Sequence, residues 1–181
     1  MIWRRLLMAD NSHVPEIQLS YDDAEARMII TKVAATLDSQ HFGEGGHVLR
    51  SMMTAADINL VRATNKAANE TVKEVADLMR MRQYHGKSGY GPNSKVFRHK
   101  ANNQHMVERL KDHVNGQEHR IYTDISNNGY NYSQAFEYGL LSKNYPAHHP
   151  FEDAANHLGL SHVNGGNFEN YVDEAIKKGF S

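Results

Sequence analysis

A long run of apolar residues at helical spacing lies in the first half of the chain and limits the folds that the chain can adopt. Between Ile58 and Met79 the apolar positions recur in steps of three and four, which is the period of one face of an α-helix. Thr54, with Asp57 three residues later, approximates a capping box and predicts that the helix begins there. The predicted helix is about 25 residues long, so it needs an extended surface to pack against. Its stripe consists of Ile58, Val61, Asn65, Ala68, Val72, Val75 and Met79.

Two partners for this stripe remain open. The stripe is narrow, because it is rich in alanine and is interrupted by Asn65. One interpretation is that the helix packs across a sheet of its own domain. The other is that part of the stripe packs against a neighbouring subunit, since a narrow apolar seam serves both kinds of contact.

Upstream of the long helix, the pattern predicts an extended segment followed by a first helix. Glu16–Tyr21 alternates apolar and polar residues and fits a short strand or an extended arm. Asp22 and Asp23 then precede Ala24–Leu37, and acidic residues favour a helix start. The apolar residues at helical spacing in this first helix are Met28, Ile29, Val33 and Leu37.

Length and composition predict one domain. The chain has 181 residues, of which 40% are hydrophobic, and this is enough for a single core. Three glycines within residues 41–46 predict a break and a hinge. We therefore expect a disordered or extended tail at 1–15 and one domain at 16–181, divided into a helical arm at 16–46 and a core at 47–181.

The second half of the chain predicts a small antiparallel sheet. Gln104–Val114 fits a helix by its spacing and a strand by its alternation. Asn115-Gly116 is a tight-turn signal, and His119–Ile125 alternates as a half-buried strand does. A last amphipathic helix is expected after Asn167. The predicted fold class is α+β, a small and mainly antiparallel sheet packed by the long helix and several shorter ones, with an extended terminal arm and loop.

The stretch Asn127–Leu158 carries the most specific local signals. Turn residues open it, and an aromatic block follows that ends at Gly139, a residue type favoured just past a helix end. Pro150 then predicts the first turn of a new helix. Phe151 heads the apolar face of that helix, so we expect it to be buried.

This stretch resembles the C-terminal signature of one family of tailed-phage proteins. The resemblance lies in an aromatic residue followed by Glu-aromatic-Gly, Tyr132 to Gly139, and then Pro-x-x-x-Pro-Phe leading into an alanine-containing helix, Pro146 to Ala155. The family is that of the neck or tail-completion proteins, also called head–tail joining or minor tail components. The core of the motif comprises Tyr132, Phe136, Gly139, Pro150 and Phe151.

The resemblance implies a structural virion protein rather than an enzyme. Its subunits would form a homo-oligomeric ring, a hexamer or dodecamer, that completes the tail or joins it to the head connector around the DNA channel. The implied partners are other neck, connector and tail tube proteins, with transient contact to genomic DNA in the channel. The implied location is the virion, with the host cytoplasm during assembly. Glu137 is an interface candidate, expected to be exposed or paired with a cation of the basic segment or a neighbouring subunit.

A basic segment provides the other interface candidates and an alternative function. Residues 80–100 contain six cations and no acidic residue, with glycines and aromatic residues between them. Such a segment seeks a negative surface, either another subunit or nucleic acid. The alternative is therefore a small nucleic-acid-binding protein that uses residues 80–100. The cations are Arg80, Arg82, Lys87, Lys95, Arg98 and Lys100.

Composition and the absence of known motifs argue against several other classes of protein. The net charge of −1 does not favour a polyanion binder as a whole, and the absence of cysteine excludes disulfides and thiolate metal sites. No apolar run approaches the roughly 20 residues that cross a bilayer, so no membrane partner is expected. No nucleophile elbow, phosphate loop or dinucleotide fingerprint is present. We predict no catalytic residues and no cofactor.

The twelve histidines raise a metal-enzyme hypothesis that we set third. The densest group is His148, His149, His157 and His162, but it lacks the i, i+4 pairing of a helical zinc site. We therefore predict no metal site.

Overall fold

The computed structural model describes residues 14–84, 105–127, 130–140 and 144–158, together with positions 174, 177 and 178. Within these residues the chain is α+β, as predicted. The elements in chain order are β1 (Glu16–Leu19), α1 (Ala24–Ser39), α2 (Gly43–Tyr84), a 3₁₀ helix (Met106–Arg109), β2 (Leu110–Asn115), β3 (Glu118–Thr123), β4 (Ser126–Asn127), β5 (Tyr130–Asn131), α3 (Tyr132–Tyr138) and α4 (Pro150–His157).

The main sheet has the strand order β1–β3–β2, and both outer strands run antiparallel to β3. Ile17 of β1 lies opposite Ile121 of β3, and both side chains are fully buried. Glu16–Tyr21 therefore contains a strand of the sheet, and the strand predicted over His119–Ile125 is confirmed. A separate two-stranded ribbon pairs β4 with β5.

The β2–β3 hairpin follows from its turn sequence. Asn115 pairs with Glu118 across a two-residue connection, and Gly116 has a φ of 62°. Positive φ is cheap for glycine, so the predicted turn is confirmed. The alternation predicted for this strand is also found, because Ile121 and Thr123 are buried whereas Arg120 is exposed.

The segment Gln104–Val114, whose pattern fits either a helix or a strand, contains one of each. Its described part begins at His105, continues as the 3₁₀ helix Met106–Arg109 and then becomes strand β2. Met106 and Val107 are buried, whereas the last five residues of β2 are exposed. The helical interpretation is therefore wrong for β2, whose backbone hydrogen bonds are supplied by β3.

The long helix is confirmed, but its predicted start is wrong. Helix α2 begins at Gly43 and runs for 42 residues, so Thr54 lies inside it. The Thr54 hydroxyl donates to the carbonyl oxygen of Arg50 one turn earlier, at 3.0 Å, instead of capping a helix end. The expected break over 41–46 is reduced to a short connection, Gln40–Phe42.

The predicted stripe of α2 is buried only in its second half. Ala68, Val75 and Met79 are buried, whereas Ile58 and Val61 are about half exposed. In the first half of the helix a different set of residues is buried, and this set is Ala56, Leu60, Ala63 and Thr64. A single face therefore does not describe α2, because its first half packs against α1 and its second half against the sheet and α4.

Helices α1 and α2 form an antiparallel hairpin with a close crossing. Arg27 contacts Asp57, and Arg50 contacts Asp38, which sets the direction of the pair. A Cβ atom on Gly46 would lie 2.9 Å from the carbonyl oxygen of Ala34, so only glycine fits at this crossing. Gly46 thus serves close packing within a helical hairpin, whereas a Cβ on Gly43 would meet no atom within 4 Å.

One hydrophobic core joins β1, residues 60–79 of α2, β3, α3 and α4. Its largest fully buried apolar side chains include Ile17, Val75, Met79 and Ile121. None of the described helices combines the length and the hydropathy needed to cross a membrane.

Several predictions fall on residues outside the described ranges. Of the tail predicted at 1–15, only Val14 and Pro15 are described, and Pro15 is buried. The last helix, expected after Asn167, is described only at positions 174, 177 and 178, which are helical. The division into an arm at 16–46 and a core at 47–181 stays a prediction, although β1 belongs to the main sheet.

Candidate functional site

The candidate site is the α3–α4 joint, which we define as α3, the connection after it and α4. Asn131 caps α3 by accepting a hydrogen bond from the backbone N–H of Ser133 at 2.9 Å. Gly139 ends α3 with a φ of 75°. A Cβ atom there would lie 2.8 Å from the backbone of Ala147 and of Tyr145, so the connection folds tightly over the helix end. The predicted role of Gly139 is thus supported by both its backbone angle and its surroundings.

The connection returns along α3 and is held there by its own backbone. Leu140 and Tyr145 form an isolated antiparallel bridge. The N–H of His148 donates to the carbonyl oxygen of Phe136 at 2.9 Å, and the His148 ring stacks on the Phe136 ring with centroids 4.6 Å apart. These contacts place the start of α4 beside the buried face of α3.

Glu137 caps α4 from α3. Its two carboxylate oxygens accept hydrogen bonds from the backbone N–H groups of Phe151 and Glu152, each at 3.0 Å. The residue at the N-cap position, His149, has left-handed backbone geometry and provides no side-chain cap. The capping acceptor therefore comes from another helix, and the negative charge lies where the helix dipole favours it.

The environment predicted for Glu137, exposed or paired with a cation, was wrong. The side chain is only 2% exposed, and its described partners are backbone N–H groups rather than a cation. Burial raises the pKa of Glu137 above its usual value, while the two N–H bonds and nearby His149 act to lower that pKa. A direct contact to a neighbouring subunit does not fit this burial, so any part in an interface would be indirect.

Phe151 is 3% exposed, so its predicted burial is confirmed. It lies in the same core cluster as Phe136, and Tyr132 packs against that cluster while remaining partly exposed. Pro150 occupies the first turn of α4 and is buried. The five residues of the predicted motif core therefore all lie in the α3–α4 joint.

Arg82, on α2, connects the α3–α4 joint to that helix. Its guanidinium donates to the backbone carbonyl oxygen of His148 and contacts the carboxylate of Asp153 at 2.5 Å. His157 also lies 2.9 Å from a carboxylate oxygen of Glu74 on α2. The charge of Arg82 is therefore paired within the folded chain, and its role as an interface residue stays a prediction.

The remaining cations are described only in part. Arg80 contacts Asp77 one turn earlier at 2.9 Å, and both side chains are about half exposed. Lys87, Lys95, Arg98 and Lys100 lie outside the described residues, so their interface role and the nucleic-acid alternative stay predictions.

A small group of potential metal ligands also lies at this joint. Oxygen and nitrogen ligand atoms of Glu137, His149 and Glu152 lie within 4.8 Å of one another. Glu137 already accepts two N–H groups, whereas His149 Nδ1 is buried and lies 3.0 Å from a carboxylate oxygen of Glu152 without forming a hydrogen bond to it. In the described residues two members of the densest histidine group of the sequence have other neighbours, since His148 stacks on Phe136 and His157 faces Glu74. His162 lies outside them.

Sequence reasoning missed the two long-range contacts that build the joint. Arg82 and Asp153 are 71 positions apart, and no local pattern pairs them. The capping role of Glu137 did leave a signal, because His149 precedes Pro150 where Ser, Thr, Asp or Asn would ordinarily cap the helix. A helix start without a local cap requires an acceptor from elsewhere.

Comparison of the chain with known protein families, with curated proteins and with solved structures found no match.

Proposed function

We propose that this protein is a structural subunit of the neck or tail end of a tailed phage, where copies form a ring around the DNA channel. The observation that carries the proposal is the α3–α4 joint. The residues on which the family resemblance rests act together in it: Glu137 caps the helix that begins at Pro150, and Gly139 permits the tight return between them.

This arrangement gives the resemblance a physical meaning. Phe136 and Phe151 share one core cluster, and Glu137 joins the two helices that carry them. The residues that carry the resemblance thus form one packing unit, and this supports the function that the resemblance implies.

The rest of the described chain fits an assembly role. Helix α1 packs chiefly against α2 and fully buries only Ala34, while several of its large apolar side chains are half exposed. An apolar surface of this kind is typical of a protein that associates with other copies or partners. The partners would be further copies of the chain and the connector and tail tube proteins on either side of the ring.

The proposal is tested by removing the gene from the phage that encodes it and restoring it from a plasmid. A phage without the protein should accumulate separate heads and tails, or tails that fail to join, and infectious particles should return with the wild-type copy. Normal numbers of infectious particles without the protein would contradict the proposal. A catalytic or regulatory role would instead alter replication or lysis while leaving finished particles intact.

A further inference from the structure

Three side chains that can bind a metal ion converge at the α3–α4 joint. Ligand atoms of Glu137, His149 and Glu152, one from each residue, lie within 4.8 Å of one another. No other such group of three is found in the part of the chain that the structure describes. Glu137 belongs to α3, whereas His149 and Glu152 lie at the start of α4, three positions apart. The group therefore spans two helices that are distinct in the sequence.

Backbone hydrogen bonds hold the three residues together. The N–H of His149 donates to the carbonyl oxygen of Glu137 at 3.3 Å. The buried carboxylate of Glu137 accepts the N–H groups of Phe151 and Glu152 at 3.0 Å, one on each oxygen. Hydrogen bonds of this kind orient carboxylates that bind metals, and each oxygen keeps a second lone pair for a ligand bond. The hydrogen bonds of Glu137 are therefore compatible with metal binding.

The imidazole of His149 has a nitrogen atom that the described residues leave unsatisfied. Its Nδ1 atom is buried, although the side chain as a whole is 42% exposed. Nδ1 lies 3.0 Å from a carboxylate oxygen of Glu152, but the two atoms do not have the geometry of a hydrogen bond. A buried polar atom without a hydrogen bond is costly, and the lone pair of an imidazole nitrogen is a common metal ligand. A cation between His149 and the two carboxylates would satisfy this atom.

Charge also favours a cation at this position. Burial is the main cause of the raised pKa of Glu137, and the charge of Glu152 acts in the same direction because two carboxylates repel each other. The positive charge of Arg82 is already paired with Asp153. The positive end of the α4 dipole opposes a cation, but it amounts to roughly half a charge, against two full negative charges on the carboxylates.

The donor atoms suit Zn²⁺ better than Mg²⁺ or Ca²⁺. Imidazole nitrogen together with carboxylate oxygen is typical of zinc and similar transition metals, whereas Mg²⁺ and Ca²⁺ prefer oxygen ligands alone. Ligand atoms of a tetrahedral zinc ion lie about 3.4 Å apart, at bond lengths of about 2.1 Å. The 3.0 Å between His149 and Glu152 and the 4.8 Å limit of the group bracket this value. Small rotations of the partly exposed side chains of His149 and Glu152 would complete the geometry and leave a fourth position for water.

We propose that Glu137, His149 and Glu152 bind one divalent transition-metal ion of the zinc class, which cross-links α3 to the start of α4. The sequence analysis predicted no metal site because it considered the spacing of histidines, and that spacing does not show a ligand from a second helix. The proposal goes beyond the proposed function and does not rest on it. A chain that binds no metal could still form the ring, so failure of one proposal leaves the other standing.

Isothermal titration calorimetry with Zn²⁺ tests the site on the full chain, prepared without a histidine tag and freed of metal with EDTA. We expect one Zn²⁺ per chain with a Kd on the order of 1 µM or below, and much weaker binding of Mg²⁺. His149→Asn should weaken Zn²⁺ binding at least tenfold. Asparagine suits the left-handed backbone and the N-cap position of this residue, so the fold should be kept, as circular dichroism can verify.

His157→Asn is the matched control, because His157 lies on the same helix but faces Glu74. It should leave the affinity for Zn²⁺ unchanged. The absence of one-to-one binding by the wild type would overturn the proposal. So would an affinity that His149→Asn leaves unchanged, or one that both variants lower equally.

Thermal denaturation tests the proposed cross-link. A ligand that binds only the folded chain stabilises it, so excess Zn²⁺ should raise the Tm of the wild type. Glu152→Gln keeps the size of the side chain and should remove most of this rise, whereas Glu25→Gln, at an exposed position of α1, should retain it. An equal rise in Tm for both variants would contradict the role of Glu152.

Anomalous diffraction at the zinc absorption edge locates the ion in crystals grown with Zn²⁺. We expect one strong peak about 2.0–2.2 Å from ligand atoms of Glu137, His149 and Glu152. Peaks at other histidines alone would overturn the proposal.

Discussion

Among single residues, Glu137 has the largest influence on the α3–α4 joint. Its carboxylate is buried, yet it supplies both acceptors to a helix start whose own N-cap residue supplies none. Burial of a charge is costly, and the two N–H bonds and the helix dipole offset that cost. Loss of the acceptors would leave the buried N–H group of Phe151 and the partly buried N–H group of Glu152 without these partners.

Replacing Glu137 by methionine should test this role. Glu137→Met keeps the length of the side chain and removes both acceptors, so we expect a loss of about 1–3 kcal/mol in the free energy of unfolding, measured by urea denaturation. Glu25→Met is the control, because Glu25 is exposed in the first turn of α1, and it should change the free energy by less than about 0.5 kcal/mol. Equal effects would show that the cap contributes nothing.

The raised pKa of Glu137 predicts a pH dependence of stability. A carboxyl group with a raised pKa binds its proton more tightly in the folded than in the unfolded chain, so its contribution to stability grows as pH falls through the folded pKa and declines as pH rises. The difference in unfolding free energy between wild type and Glu137→Met should therefore be larger at pH 5 than at pH 7.5. A smaller difference at pH 5 would mean that the N–H bonds outweigh burial and lower the pKa.

Phe151 should be as important to the core as Glu137 is to the cap. Phe151→Ala removes a side chain that is 3% exposed and should lower the free energy of unfolding by about 3–5 kcal/mol. Phe42→Ala makes the same chemical change at a side chain that is 64% exposed and should cost less than about 0.5 kcal/mol. Thermal and urea denaturation of the two variants provide the comparison, and similar losses would place Phe151 outside the core.

Among the secondary-structure elements, the α1–α2 hairpin depends on close backbone approach. Gly46→Ala would place a Cβ atom 2.9 Å from the carbonyl oxygen of Ala34 and against the carboxylate of Asp38, so α1 must move away. We expect a loss of about 1–3 kcal/mol in unfolding free energy. Gly43→Ala is the control, because its Cβ meets no atom within 4 Å, and it should be neutral or stabilising by up to about 1 kcal/mol. A neutral Gly46→Ala would contradict the close crossing.

The sequence predicted those elements whose pattern reflects one buried face. Strand β3 was predicted because Ile121 and Thr123 alternate with exposed residues, and the β2–β3 turn because Asn115-Gly116 suits positive φ. The start of α2 was not predicted, because one of the glycines that look like a break, Gly46, is required by tertiary contact with α1. Local propensity cannot show that contact.

The same distinction applies to the candidate site. Gly139 and Phe151 were predicted from local signals, whereas the Arg82–Asp153 contact and the Glu137 cap join distant parts of the chain. The mistaken expectation for Glu137 arose because a carboxylate was assumed to be either exposed or paired with a cation. Two backbone N–H groups at a helix start satisfy it instead.

In the described part of the molecule, a buried core contrasts with an α1–α2 hairpin whose large apolar side chains are partly exposed. The core joins the sheet, residues 60–79 of α2 and the α3–α4 joint, and Arg82 connects the joint to α2. The α1–α2 hairpin presents large apolar side chains that are exposed in the described part of the chain. A folded body with an apolar projecting surface suits a subunit whose final contacts form during assembly.

The number and position of copies in purified phage particles test the proposed function most directly. Quantitative mass spectrometry of the particles should detect the protein in a small fixed number of copies per virion, consistent with a hexameric or dodecameric ring. Electron microscopy with a label on the protein should place it where the tail meets the head or at the end of the tail tube. Absence of the protein from infectious particles would contradict the proposal.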